Sequence, residues 1–190
     1  MPIIERERES KKGFTLVELL VVIAIIAVLS AVGLVAFSSA QKSGRIGKRI
    51  QDLKAIQTAL EVYYSVNKAY PSSGGSWRNE CSGWAGNLAA NDVIPGLVPT
   101  YMVSFPSDPA MDKGNHRNCY MYNSNGTDYK LIIQGVTDMT SAELQRQKNL
   151  IDPNRDGGSS NCKVDGANIA AWAIWSSCQD TPSCSGSCTW

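Results

Sequence analysis

A long apolar stretch near the start of the chain constrains its fold more than any other feature. Residues 14–37 contain one charge, Glu18, and otherwise consist almost entirely of Val, Ile, Leu, Ala and Phe. In a helix this stretch would extend about 36 Å, enough to cross a bilayer core of about 30 Å. A carboxylate inside a membrane helix is costly, so Glu18 requires a functional explanation and a partner.

Three interpretations of this stretch compete. A secretory signal peptide has an apolar core of about 7–15 residues followed by a small-residue cleavage site. Here the apolar run is longer, and Ser30-Ala31-Val32 is followed by more apolar sequence. A plain single-pass anchor explains the length but leaves Glu18 unexplained. The third interpretation starts from the residues that open the apolar run.

The sequence Gly13-Phe14-Thr15-Leu16-Val17-Glu18 resembles the processing site of type IV pilins and of the pseudopilins of type II secretion. The resemblance implies that residues 1–13 are a leader, which a prepilin peptidase removes by cutting after Gly13. It also implies that Phe14, the new N-terminus, is methylated and that the apolar helix stays attached as an assembly element.

Glu18 acquires a partner in this interpretation. In a fibre of staggered helices, the cationic amine of a neighbouring Phe14 would lie beside the Glu18 carboxylate. Two charges about 4 Å apart attract by about 4 kcal/mol at an effective dielectric constant of about 20. Because that attraction exists only when subunits are in register, we expect Glu18 to align neighbouring subunits during assembly.

Residues 38–70 have the pattern of an amphipathic continuation of the same helix. Apolar residues recur at spacings of three and four, and the charged residues between them, including Arg49, lie off this stripe. The absence of Pro predicts one continuous helix over residues 14–66, which Asn67 and Pro71 end. We expect the stripe to pack against a sheet; it consists of Ile46, Ile50, Leu53, Ile56, Leu60 and Tyr63.

Residues 71–190 are predicted to form a small extracytoplasmic domain. Residues 119–123 and 128–134 are β-forming runs, and Asn125-Gly126 between them supplies the positive φ of a tight turn. Residues 169–175 have the alternation of a last strand. The expected fold class is α+β, with a long N-terminal helix packed on a small antiparallel sheet and disulfide-tied loops, as in pilins.

Two loop regions lie between and after these elements. Residues 72–118 are rich in Gly, Ser, Asn and Pro and allow a short helix near residues 84–92. Residues 138–151 fit either a short helix or a polar loop.

Six cysteines follow the membrane segment, and their even number in an extracytoplasmic domain indicates disulfides. We expect neighbours along the chain to pair, although sequence alone does not choose among the possible pairings. A zinc site is the alternative, but the single His116 is remote from the C-terminal cysteines and the C-x2-C spacing is absent. The expected pairs are Cys81–Cys119, Cys162–Cys178 and Cys184–Cys188.

A possible cation site follows the hairpin. Asp152, Asn154 and Asp156 match the first half of a calcium loop, in which alternate residues supply oxygen ligands. Lys163 occupies the position of the usual bidentate Glu, so Asp165 or backbone carbonyls would have to replace it. A polar Asx-type turn explains the same residues about as well. Resemblance to the major pseudopilins, which hold calcium in a late loop, slightly favours the cation.

The net charge and the sequence motifs limit which other functions the chain can have. Without residues 1–13, the chain keeps 14 basic and 14 acidic side chains, because four of 18 basic and three of 17 acidic residues lie in the leader. A neutral chain without a basic block gives no electrostatic support for nucleic-acid binding. The sequence has no phosphate loop, paired-carboxylate signature or nucleophile elbow, so no enzymatic activity is predicted.

The sequence thus predicts four segments: a leader (1–13), a membrane and fibre-core helix (14–37), an amphipathic half-helix (38–70) and a domain (71–190). Before assembly, the N-terminus would be cytoplasmic and the domain outside. The expected function is that of a structural subunit of a type IV pilus-like filament. The resemblance implies self-assembly from the inner membrane with an assembly ATPase and a membrane platform protein.

Two alternatives remain open. The first, within the same family, is a pseudopilin of type II secretion, which acts in protein export. The second belongs to another class: a membrane-anchored extracytoplasmic binding module that never assembles.

Overall fold

The computed structural model describes residues 13–82, 86–140, 142–143, 146–147, 150 and 170–176, and leaves the side chains of residues 32–36 and 170 undescribed. Its elements in chain order are helix α1 (Leu16–Asn67), β1 (Arg78–Asn79), a 3-10 turn (Ala90–Asp92), β2 (Cys119–Ser124), β3 (Tyr129–Val136) and β4 (Ala170–Trp175). The chain divides into two compact units, Met1–Ser43 and Gly44–Trp190. The α+β class predicted from the sequence is confirmed.

Helix α1 ends where the sequence predicts. The Asn67 side chain caps the last turn, since its Nδ2 donates to the Tyr63 carbonyl at 2.9 Å. Lys68 then adopts a left-handed conformation with φ 57°, and its N–H donates to the Tyr64 carbonyl at 2.8 Å. This is the usual way for a helix to satisfy its last carbonyls, here without the usual glycine.

The predicted hairpin is also confirmed. Strands β2 and β3 pair antiparallel, with Ser124 opposite Tyr129 at the turn end. Asn125 Oδ1 accepts hydrogen bonds from the N–H groups of Thr127 and Asp128 at 2.9 and 2.8 Å, which fixes the turn between the strands. The sheet order is β1-β2-β3-β4.

Strand β4 forms over the residues predicted for a last strand and pairs antiparallel with β3. A bulge interrupts that ladder between Ile133 and Val136. Gly135 lies in it with φ 69°, and a Cβ there would lie 2.9 Å from the His116 carbonyl oxygen. Only glycine fits this position, because both the backbone conformation and the close approach exclude a side chain.

Two details differ from the prediction. The prediction of a short helix near residues 84–92 is wrong over the residues that are described there, 86–92. Their one helical element is the 3-10 turn Ala90–Asp92. The two-residue strand β1, which pairs with β2 through Arg78 and Asn79, was not expected. A strand this short carries no alternation that a sequence pattern can detect.

The core lies between the second half of α1 and one face of the sheet. Leu53, Ile56 and Leu60 from the predicted stripe are fully buried, each worth about 1.5–3 kcal/mol relative to exposure. They pack in one cluster with the sheet residues Tyr120, Tyr122, Tyr129, Leu131, Ile133 and Trp172. The expectation that the stripe packs on a sheet is confirmed.

The opposite face of the sheet is covered as well. Met121, Ile132 and Ala173 form a second cluster there with Cys81 and Cys119. These two cysteines form a disulfide that closes a separation of 38 residues, the pairing expected from chain order. Cross-linking a loop of this length restricts the unfolded chain and so stabilises the folded one, by about 2–4 kcal/mol in typical cases.

Candidate processing and assembly site

The first turn of helix α1 holds the motif residues in a defined arrangement. Thr15 precedes the helix, and its Oγ1 accepts a hydrogen bond from the Glu18 N–H at 3.2 Å. In return, Glu18 Oε2 accepts from the Thr15 N–H at 2.9 Å and from the Thr15 hydroxyl at 2.7 Å. This reciprocal arrangement is a capping box, which satisfies free N–H groups at a helix start.

The capping box gives Glu18 a partner within its own chain. The sequence analysis did not identify it, although a Thr followed three residues later by Glu before an apolar run is its signature. An acidic side chain in the first turn also interacts favourably with the positive end of the helix dipole. Glu18 is therefore stabilised even where no neighbouring subunit is present.

The expected cleavage position lies just outside the helix. Gly13 and Phe14 have no regular secondary structure, and Phe14 is 85% exposed. No atom lies within 4 Å of the position that a Cβ on Gly13 would occupy. The Gly13–Phe14 peptide bond thus lies in an exposed segment without regular secondary structure.

The helix that follows presents an apolar surface. Its large hydrophobic side chains from Leu16 to Leu29 are between 46% and 80% exposed. Contiguous apolar surface of this extent is rare on soluble monomers and marks contact with lipid or with other protein.

Among the described residues, no helix combines the length and the apolar character needed to cross a membrane.

A cluster of charged side chains lies on the second half of the helix. Arg49 is completely buried, although it lies off the apolar stripe, and the sequence analysis did not identify this burial. It forms ion pairs with Asp108 and Asp138, and Arg45 forms a second pair with Asp138. We call these four residues the ionic cluster.

The contacts within the ionic cluster favour the charged forms of Arg49 and Asp138. Burial lowers the pKa of the Arg49 guanidinium, but hydrogen bonds to Asp108 and Asp138 outweigh burial and hold that pKa above its usual value. Burial likewise raises the pKa of the Asp138 carboxyl, and the hydrogen bonds from Arg49 and Arg45 outweigh it, so that pKa lies below its usual value.

Several predicted site residues lie outside the described residues. These are the calcium ligands Asp152, Asn154, Asp156 and Asp165, and the cysteines Cys162, Cys178, Cys184 and Cys188. In the part of the chain that is described, no group of three or more His, Cys, Asp or Glu side chains is arranged to hold a metal ion. His116 is half-buried, with its Nε2 3.4 Å from Ser82 Oγ.

Comparison with known proteins adds to this geometry. The family model described as the prokaryotic N-terminal methylation motif matches residues 8–34. The type II secretion system core protein G of Escherichia coli K12 is 32% identical over 154 residues, covering 75% of this chain and 99% of that protein. A fimbrial protein of Neisseria meningitidis serogroup B is 33% identical over 131 residues, covering 67% of this chain and 75% of that protein.

Another relative matches over a shorter region. The type II secretion system core protein G of Pseudomonas aeruginosa is 36% identical over 67 residues, and the chain spans about half (47%) of its length. No solved structure matches the chain.

The fold and the N-terminal motif together define a pilin-like protein, in which a methylation motif opens a long helix that packs on a small antiparallel sheet. With a relative aligned over almost its whole length, the chain belongs to the family of type IV pilins and type II secretion pseudopilins.

Proposed function

We propose that this protein is a structural subunit of a pilus-like filament, made as a membrane-anchored precursor. The observation that carries the proposal is that the methylation motif, which matches residues 8–34, overlaps the start of helix α1 (Leu16–Asn67), the same continuous helix that packs in the domain. Such a chain can be processed at one end and can present its domain at the other. An enzymatic role receives no support from the relatives, whose names describe pilins and secretion core proteins.

Processing would occur between Gly13 and Phe14. A prepilin peptidase removes the leader, residues 1–13, and Phe14 becomes the methylated N-terminus. The open conformation at Gly13 supports this assignment, as does a relative named prepilin peptidase-dependent protein D from Escherichia coli K12, 39% identical over 54 residues.

The apolar segment, residues 14–37, would have one role before assembly and another after it. Before assembly, residues 14–37 hold the precursor in the membrane with the N-terminus cytoplasmic and the domain extracytoplasmic. After assembly, the same side chains pack against those of other subunits in the fibre core. An assembly ATPase and an inner-membrane platform protein would drive the transfer between these two environments.

Glu18 would change partners during that transfer. In the single chain its carboxylate accepts two hydrogen bonds from Thr15. In the fibre, the Phe14 amine of a neighbouring subunit offers a full opposite charge in addition, which is worth more than a neutral donor. The capping box therefore stabilises the carboxylate until a neighbour arrives in register.

Cross-linking tests the assembly claim. Pairs of cysteines introduced along residues 14–37 of the full-length chain should give a ladder of multimers in cells that carry the assembly machinery. Glu18→Ala should insert and be processed but give little ladder, whereas the control Glu61→Ala, on an exposed helix position, should assemble normally. Monomers alone from the parent chain would favour the non-assembling binding module, and normal assembly of Glu18→Ala would remove the alignment role.

The second candidate function, a pseudopilin of type II secretion, rests on the extent of the alignment. The match covers 99% of the Escherichia coli core protein G but 75% of the meningococcal fimbrial protein. Deletion of the gene separates the two functions. Loss of surface filaments with normal protein export indicates a pilus, and retained exoproteins without loss of surface filaments indicate a pseudopilus.

Calcium binding at Asp152, Asn154, Asp156 and Asp165 remains part of this proposal on sequence grounds alone. Addition of calcium to the chelated protein should raise its thermal unfolding midpoint, and Asp156→Asn, which removes one charged ligand, should reduce that rise. Asp112→Asn makes the same chemical change in a loop turn outside this segment and serves as the matched control. An unchanged midpoint in the parent protein would assign the segment to an ordinary polar turn.

A further inference from the structure

Helix α1 becomes attached to the domain over a few residues. Residues 37–41 and 43–44 are exposed, Lys42 and residues 45–48 are half-buried, and Arg49 is completely buried. Arg45 donates from its Nε to Asp138 Oδ2 at 2.8 Å. Polar contacts of Arg45 and Arg49 therefore hold this part of the helix beside the apolar contact of Ile46, which packs against the core.

Arg49 makes the most extensive contacts at this point. Its Nε and Nη2 bind both oxygens of Asp108 at 2.5 and 3.1 Å, and Nη2 also donates to Asn118 Oδ1 at 3.0 Å. Its Nη1 donates to Asp138 Oδ1 at 2.6 Å. One guanidinium thus joins the helix to three separate segments of the domain.

The charges of the ionic cluster balance. Two guanidinium groups, from Arg45 and Arg49, face two carboxylates, from Asp108 and Asp138. Asp138 bridges the two arginines, which are four residues apart on the helix and so lie on the same face. A balanced and fully hydrogen-bonded group can be buried without a large desolvation penalty, whereas one missing member would leave a buried charge unpaired.

A second set of polar contacts extends this attachment by one turn. Lys48 Nζ donates to Asp52 and to the Ser107 carbonyl, the latter at 3.0 Å. Tyr120 donates from its hydroxyl to Asp52 Oδ2 at 2.8 Å. Ser107 is adjacent to Asp108, so both sets hold the same loop against the helix.

Directional and non-directional contacts have different consequences here. The apolar stripe, which begins at Ile46, contributes in proportion to buried area and tolerates small rotations or shifts of the helix. A bidentate guanidinium–carboxylate pair requires one orientation of the planar groups. The ionic cluster can therefore fix the rotation and axial position of the helix, which the apolar stripe alone leaves less well defined.

The helix is intrinsically weak where the cluster begins. Gly44 and Gly47 have low helix propensity, and no atom lies within 4 Å of the Cβ position at either residue. Packing among the described residues thus gives no reason for glycine at these positions. If local opening of the helix spreads from the exposed residues 37–41 as far as Gly44, the next residue along the chain is Arg45.

We propose that the ionic cluster is a clamp that fixes the first attached turn of helix α1 and stops local opening of residues 37–44 from spreading into the domain. The clamp is a property of the folded domain and does not depend on the filament function. It requires only that the exposed part of the helix opens more often than the attached part, as expected for a segment with few buried contacts.

Hydrogen–deuterium exchange of the full-length chain in detergent micelles tests the clamp. In the parent protein, fast-exchanging amides should end and protection should begin within residues 45–49. Asp138→Asn retains the shape of the side chain but removes the charge that bridges the two arginines. We expect exchange over residues 45–52 to rise by about tenfold or more, with residues 56–66 changing by less than about twofold.

Asp92→Asn is the matched control, because it makes the same chemical change at an exposed position of the domain outside the ionic cluster. It should leave exchange in the helix unchanged. Should Asp138→Asn fail to fold, Arg45→Gln decides by the same criterion, since it removes a single partly exposed contact. An equal rise along all of residues 45–66, or no rise in residues 45–52, would overturn the clamp.

Discussion

The two halves of helix α1 share one backbone structure but differ in what stabilises them. In the first half, the large apolar side chains from Leu16 to Leu29 are exposed. In the second half, Leu53, Ile56 and Leu60 are buried and Arg49 forms internal ion pairs. Packing of an apolar face is the main source of helix stability in proteins, and within this chain the described contacts show it for the second half.

This difference fits the two roles proposed for the helix. The contacts of the second half lie within the domain. The first half exposes its apolar side chains, which under the proposed function would face lipid before assembly and neighbouring subunits afterwards. The predictions below test this contrast, from the largest expected effect to the smallest.

The largest effect is expected from Asp108→Ala in the second half. The substitution removes the two hydrogen bonds that Arg49 donates to the Asp108 carboxylate. The buried guanidinium charge of Arg49 then lacks its nearest partner. We expect a loss of about 3–5 kcal/mol in the free energy of unfolding, measured by urea titration of the full chain in detergent. Asp92→Ala, at an exposed position, should cost about 0.5 kcal/mol or less. A similar loss for both variants would contradict the structural role of Arg49.

The same substitution in the two halves gives the most direct comparison. Ile56→Ala deletes a fully buried side chain and should cost about 2–4 kcal/mol in the same titration. Ile25→Ala deletes one that is 54% exposed and should change the unfolding free energy by about 0.5 kcal/mol or less. Equal costs would show that the first half is packed within the chain after all.

Lowering the pH should reduce the stability of the second half of helix α1, because Asp138 becomes protonated. Its pKa in the folded protein lies below that of the unfolded chain, because the hydrogen bonds from Arg49 and Arg45 outweigh burial. The unfolded state therefore takes up its proton first as the pH falls, and the stabilisation present above the ordinary Asp pKa of about 3.9 is lost below it. The parent chain and Asp138→Asn should differ most near neutral pH and converge in acid. A constant difference in their unfolding midpoints across that range would exclude Asp138 as the source.

The smallest effect is expected at the start of the first half. Thr15→Val removes the hydroxyl of the capping box, which should cost about 0.5–1 kcal/mol in local helix stability. Exchange of the amides in the first helical turn should rise, and amides beyond residue 25 should be unaffected. Thr15→Ser keeps the hydroxyl and should match the parent chain, so equal exchange in both variants would argue against the capping box.

Local patterns predicted most of the fold. The spacing of Ile50, Leu53 and Leu60 gave the buried face of the helix, and Asn125-Gly126 gave the turn of the hairpin. Both depend on residues close together in sequence, where periodicity and turn chemistry act directly. The helix end at Asn67 belongs to the same class of local signals.

Arg49 shows where such reasoning fails. Its burial depends on Asp108 and Asp138, which lie 59 and 89 residues away in the sequence. A helical period assigns a charged residue beside the stripe to solvent unless distant partners are known. The Thr15–Glu18 capping box is a different case, because its spacing was visible in the sequence.

Mass spectrometry of the mature N-terminus tests the central claim most directly. Protein isolated from cells that contain the prepilin peptidase should begin at Phe14 and carry a methyl group on its amine. That result would establish the processed pilin-like subunit proposed for this chain. An intact Met1, or a terminus near Ser30, would contradict it, since neither product retains the Phe14 amine opposite a neighbouring Glu18.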